Sequence, residues 1–275
     1  SRFDAAAGGH LTPFVGRDSE TALLLERWDQ ARDGEGQVVL LSGEPGIGKS
    51  RVTQVLRERL ADEPHTRLHY QCSPYANNSA LHPVIEQIAR AAGFARGDSM
   101  DARLDKLEAL LQGGAESSRP PATPPPQPSP ARGEGEVAAA KAEAAADTND
   151  KEPPPPSRRR VGVGVATQRI VGVPAQKVEG VPLQKNEQTL ALFAAMLSLD
   201  ITRYPPLNMS PQKQKDETLK ALADQVAALA ARQPVLMIFE DAHWIDPTTQ
   251  EVLDQIVPRV ADLAVLLVST YRPGY

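Results

Sequence analysis

Apolar positions along the chain follow two rhythms. Four short runs, QVVLLS, RLHYQC, PVLMIFE and AVLLVST, are strand candidates, and all but RLHYQC are almost continuously apolar, the pattern of strands buried on both faces. Between them apolar residues recur at helical spacing. Leu23, Leu24 and Trp28 mark one helix, Leu81, Val84, Ile85, Ile88, Ala89 and Ala92 a second, and Leu104, Leu107 and Leu111 a third. Leu219, Leu222, Val226 and Leu229 predict a helix ending near Gln233 and Pro234. Asp246 followed by Pro247 predicts a helix start, with Asp246 as N-cap and Val252, Leu253, Ile256, Val257 and Val260 along one face. Strands alternating with such helices imply an α/β fold, with a mostly parallel sheet covered on both faces.

The rhythm fails between about Gly113 and Glu187. That stretch holds over half of the 25 prolines, an alanine-rich run, and three consecutive arginines, Arg158, Arg159 and Arg160. Proline removes backbone donors, and little periodic apolar surface is present to bury, so a disordered insertion is expected over residues 113–187. Its PxxP pieces fit a solvated spacer better than a ligand for an SH3-like groove. VGVGVATQRIVG is not a dinucleotide fingerprint, because the third glycine of that spacing is missing. If this segment loops out, the strand–helix alternation runs on unbroken. Residues 1–112 and 188–275 then form two halves of one domain.

Composition narrows the class. The 275 residues are 41% hydrophobic but only 4% aromatic, so the core is aliphatic. A net charge of −5 argues against a surface dominated by nucleic-acid contacts. Cys72 is the one cysteine, which excludes an internal disulfide and suits a reducing compartment. No run approaches the ~20 apolar residues of a membrane span. The chain opens on Ser1 and its last strand-like run ends close to Tyr275, so an excerpt of a longer cytoplasmic protein is expected.

The chemistry is concentrated in LLSGEPGIGKSRV. Gly43, Glu44, Pro45, Gly46, Ile47, Gly48, Lys49, Ser50 and Arg51 have the spacing of a phosphate-cradling loop between a strand and a helix. Glycines let the backbone curl so that its N–H groups converge on phosphate oxygens, with the helix N-terminus behind them. Lys49 is positioned to reach outer phosphates, and the Ser50 hydroxyl to ligate Mg²⁺. The apolar run ending at Phe239 carries Glu240 and Asp241 at its carboxyl end, where ligands sit in parallel sheets. Glu240 is assigned to the metal by register and Asp241 to the attacking water as base. His243 reads equally as a phosphate-side contact or a capped surface histidine, and Trp244 as a packing residue. Arg272 follows the last strand as a candidate sensor of the terminal phosphate.

These segments resemble a known family. FVGR, with Val15, Gly16 and Arg17, looks like the motif that contacts adenine in STAND ATPases, the signal-transduction branch of AAA-like P-loop proteins. GEPGIGKS matches their Walker A loop, VLMIFED their Walker B strand and STYRP their sensor 1 segment. More narrowly, YQCSPYANNSALHPVIEQIARAAGF and FEDAHWIDPTTQEVLDQI are similar to the ATPase module of bacterial proteins with a class III adenylate/guanylate cyclase upstream and tetratricopeptide-like repeats downstream. The resemblance implies a P-loop NTPase three-layer sandwich, ATP and Mg²⁺ as ligands, and slow hydrolysis of ATP to ADP and phosphate. It further implies a switch acting on a covalently linked effector such as the cyclase, with ATP-dependent self-association open. Within residues 188–275 the family's lid and second sensor have no counterpart. Two other readings stand beside the switch: an origin-recognition-type AAA ATPase acting on DNA, which the acidic balance disfavours, and a degraded non-catalytic fragment.

Overall fold

The computed structural model describes residues 16–113, 164–168 and 187–273. In chain order the elements are α1 (Asp18–Arg32), β1 (Gln37–Ser42), α2 (Lys49–Arg59), β2 (Thr66–Gln71), α3 (His82–Ala91) and α4 (Met100–Gly113). After these come β3 (Gly164–Gln168), α5 (Glu187–Met196), α6 (Pro211–Ala230), β4 (Val235–Glu240), a 3₁₀ turn (Ala242–Trp244), α7 (Pro247–Val260) and β5 (Val265–Tyr271). All four strand candidates form strands, each within a residue of the expected ends.

The sheet order is β2-β4-β5-β1-β3. β2, β4, β5 and β1 are parallel, so the expected α/β P-loop sandwich with its mostly parallel sheet is what forms. β5 stands between the loop-bearing strand β1 and the acidic strand β4. All six residues of β4, and all of β5 except Tyr271, are buried, which explains why these runs are continuously apolar.

Alternation along each strand divides the core into two layers. On one face Val39, Leu41, Leu236, Ile238, Leu266 and Val268 pack against Leu24, Trp28 and Ala31 of α1 and Val52 and Leu56 of α2. On the other, Val38, Tyr70, Val235, Met237, Phe239, Val265 and Leu267 meet residues of α3 to α7. Tyr70 stacks on Phe239 with ring centroids 4.3 Å apart, joining edge strand β2 to β4. Each fully buried aliphatic side chain contributes about 1.5–3 kcal/mol, so these two aliphatic layers supply most of what holds the sheet.

One departure concerns the proline-rich stretch. Its five described residues, Gly164–Gln168, form a strand that pairs antiparallel with β1, from Val38↔Gln168 to Ser42↔Gly164. GVATQ thus forms an edge strand where a disordered insertion was expected; Val165 and Thr167 are β-branched, which favours extended backbone once β1 offers an open edge. The rest of that stretch lies outside the described residues. The two helices flanking it are joined through Arg203, which ion-pairs with Asp101, Asp105 and Glu108 of α4 from the loop after α5, while the Tyr204 hydroxyl donates to Glu108.

Helix α5 had no prediction. Its apolar residues are packed too densely to show a period, and Ala191, Leu192, Phe193 and Ala194 are all buried. Asp246 caps α7 as expected, its carboxylate accepting from the Thr249 N–H at 2.9 Å. It also accepts from the Leu81 N–H at 3.0 Å, so one buried side chain fixes both α7 and the entry to α3.

Candidate functional site

β1 delivers the chain to the phosphate loop at its carboxyl end. Gly46 and Gly48 take φ of 78° and 100°, the left-handed region, and nothing lies within 4 Å of where a Cβ would stand on either. Only glycine adopts this curl without strain, and the curl leaves the inner side of the loop open. α2 begins at Lys49, directly after Gly48, so its N-terminus faces the same space.

Lys49 is buried, and its Nζ donates to the carbonyls of Gly43 at 2.6 Å and Glu44 at 3.1 Å. Burial lowers the pKa of its ammonium. Asp241 opposes that shift, Arg272 adds to it, and Glu44 opposes it. The loop lysine, the acid after β4 and the arginine after β5 therefore share one electrostatic field. Arg272 itself is exposed, directly after β5.

The two acids after Phe239 have different surroundings. Glu240 is 5% exposed; its Oε1 accepts from Thr53 Oγ1 at 3.2 Å and lies 3.5 Å from His69 Nε2. Asp241 is in the left-handed region at φ 55°, its N–H bonded to Thr270 Oγ1 at 3.0 Å and its carboxylate accepting from Gln71 Nε2 at 3.3 Å. That turn of the backbone sends the adjacent acids to different places: Glu240 beneath α2, and Asp241 within the field of Lys49.

His243 is buried, at 7% exposure, so the surface-histidine reading is set aside. Burial lowers its pKa, Asp241 opposes the shift, and Arg272 and Lys49 add to it. Its ring lies 5.1 Å from that of Trp244, which packs against the core as expected. At the other side of the loop, Arg17 donates to Glu20 at 2.7 Å and to the Ile47 carbonyl at 3.3 Å, tying the start of α1 to the loop backbone. Gly16 precedes it at φ 82°; Val15 lies outside the described residues. Ser50 is half-buried in the first turn of α2, while Arg51 is turned along the helix toward Glu58, 3.9 Å away.

Thr53, His69, Gln71 and Thr270 were missed by sequence reasoning. Thr53 gave the clearest signal: it is a polar residue, fully buried, between the buried Val52 and Val55. A hydroxyl in such a position needs a partner.

The residues fit a nucleotide with magnesium. Among the described residues no three or more His, Cys, Asp or Glu side chains cluster to hold a metal. Magnesium in phosphate sites is commonly held by one or two protein ligands together with phosphate oxygens and water, so a hydroxyl and a carboxylate are enough.

A family model described as AAA ATPase domain matches residues 13–268. An uncharacterized protein of Rhizobium meliloti (strain 1021) is 25% identical over 263 residues, covering 96% of this chain. The chain spans 19% of that relative's length. No solved structure matches the chain. With the phosphate loop, the acidic end of β4 and a family match over residues 13–268, the chain belongs to the AAA ATPase domain family.

Proposed function

We propose that this chain is an ATP-binding switch module that hydrolyses ATP slowly. The observation that carries the reading is the geometry of the loop itself, where Gly46 and Gly48 are in the left-handed region and the buried Lys49 opens α2 with its Nζ held by the Gly43 and Glu44 carbonyls. Lys49 exchanges its two carbonyl partners for phosphate oxygens, and the N–H groups of the loop around Gly46 and Gly48 bind the remainder. The Ser50 hydroxyl and the Glu240 carboxylate hold magnesium, which when bound neutralises charge building on the phosphates. Asp241 orients the attacking water and accepts its proton. Arg272 reaches the terminal phosphate from the end of β5. Gly16 and Arg17 contact the adenine side, with Arg17 bracing the loop at Ile47.

The switch part of the reading rests on the resemblance to signal-transduction ATPases and on the much greater length of the matched relative. Nucleotide binding and cleavage then bias a covalently attached effector between two states, a nucleotide cyclase being the candidate, with repeat domains as further neighbours. A cytoplasmic setting is part of the proposal; among the described residues no helix is long and apolar enough to cross a membrane.

Phosphate release tests the hydrolytic part. Asp241→Asn should abolish turnover while leaving ATP affinity within about threefold of the parent chain. Equal turnover by both proteins would remove Asp241 from the reaction.

A further inference from the structure

Beneath α2, three elements meet through three side chains. Thr53 of α2 is fully buried, Glu240 ends the buried strand β4, and His69 sits on the neighbouring strand β2. Thr53 Oγ1 lies 3.2 Å from Glu240 Oε1 and 3.0 Å from the carbonyl of Ser50. A hydroxyl has one proton, so Thr53 donates to one of these oxygens at a time or divides the bond between them. His69 Nε2 is buried, has no hydrogen-bond partner within bonding geometry, and faces the same carboxylate oxygen at 3.5 Å. His69 is itself held by its backbone: its N–H donates to Gln87 Oε1 at 3.1 Å and its carbonyl accepts from Arg90 at 2.7 Å, both residues of α3.

A buried carboxylate that lacks partners is costly, so whatever bonds Glu240 decides where it rests. Here its side-chain partners come from the loop helix and from an edge strand anchored to α3. We propose that Thr53 and His69 are positioning residues that act through Glu240, fixing this carboxylate relative to the Ser50 hydroxyl and so setting how strongly magnesium assists nucleotide binding. The proposal rests on the magnesium assignment of Ser50 and Glu240 made above. Glutamate has one methylene more than aspartate, and that reach is what brings its oxygen beneath α2 to Thr53. The hydroxyl links the carboxylate to the Ser50 backbone, and His69 Nε2 approaches the same oxygen from β2 at 3.5 Å.

The test is calorimetric binding of ATP with and without Mg²⁺, reading the ratio of the two affinities. Thr53→Val keeps the shape but removes the hydroxyl. The magnesium enhancement should fall at least about tenfold, with magnesium-free affinity changed by less than about threefold, and Thr53→Ser should restore it. An unchanged ratio in Thr53→Val overturns the proposal, as does a loss that Thr53→Ser does not repair. If Thr53→Val does not fold, His69→Gln reads the same ratio from the other side. A fall supports the proposal and an unchanged ratio overturns it. A parent chain that binds ATP equally with and without magnesium would instead defeat the metal assignment beneath it.

Discussion

Gly36 offers a sharp test of the packing that places the phosphate-loop strand. It lies in the turn between α1 and β1, and its N–H donates to the Ala261 carbonyl at 3.3 Å. A Cβ built on it would stand 1.7 Å from the Val260 oxygen, 2.6 Å from the Leu263 oxygen and 2.7 Å from the Val260 carbonyl carbon. Real Cβ contacts essentially never fall under 3.0 Å, so Gly36→Ala demands a shift of at least 3.0 − 1.7 = 1.3 Å. All three obstructing atoms are backbone at the end of α7, so no side chain can rotate away. Overpacking of this kind costs about 1–3 kcal/mol, against a gain of about 0.4–1 kcal/mol from stiffening the unfolded chain. The expected net loss is up to about 2.5 kcal/mol, or up to roughly 10 °C in Tm for a chain of this size. Gly97→Ala is the control, because nothing lies within 4 Å of its Cβ position and its φ is ordinary. Gly34→Ala separates strain from crowding, having open space but a φ of 93°. Urea denaturation of the three variants should rank Gly36→Ala least stable and Gly97→Ala near the parent. A Gly36→Ala protein within about 0.5 kcal/mol of Gly97→Ala would refute the close approach of β1 to α7.

Other consequences follow from buried polar groups. Asp246→Ala strips the cap of α7 and leaves the Leu81 N–H without its acceptor, so denaturant unfolding should show a loss of about 2–4 kcal/mol. His243 has a folded pKa below its ordinary 6.5, so the unfolded chain takes up the proton first as pH falls. Its contribution is present above that value and is lost as pH falls below it toward the lower folded pKa; His243→Asn should flatten the fall in Tm below about pH 6.5. Cys72 is 2% exposed, and burial, with Asp246 and Asp241 adding, pushes its thiol up to about 12. A thiol-disulfide reagent should leave it untouched in the native chain and titrate it after unfolding.

Much of this was legible in the sequence because burial on both faces writes itself as continuous apolar runs. β1, β4 and β5 were readable for that reason, β2 by its alternation of Leu68, Tyr70 and Cys72 with polar residues, and α7 because Asp246 and Pro247 mark its start. The phosphate loop was equally plain, since Gly46 and Gly48 stand where backbone must curl. Other features depend on distant partners. β3 needs the open edge of β1, and no local signal in a glycine- and valine-rich stretch announces that. The divergence of Glu240 and Asp241 depends on a left-handed turn at Asp241, held by Thr270 from another strand. Thr53 and His69 take their meaning from a carboxylate far along the chain, 187 residues from Thr53.

The central claim is that this chain holds ATP on its phosphate loop through Lys49. Isothermal titration of Mg-ATP and Mg-ADP into the chain and into Lys49→Ala tests it most directly. The account predicts binding on the order of micromolar Kd for the parent and a loss of about 10–100-fold in the variant, the worth of a charge-assisted contact to phosphate. Equal affinity in the two proteins, or no binding by the parent chain, would contradict it.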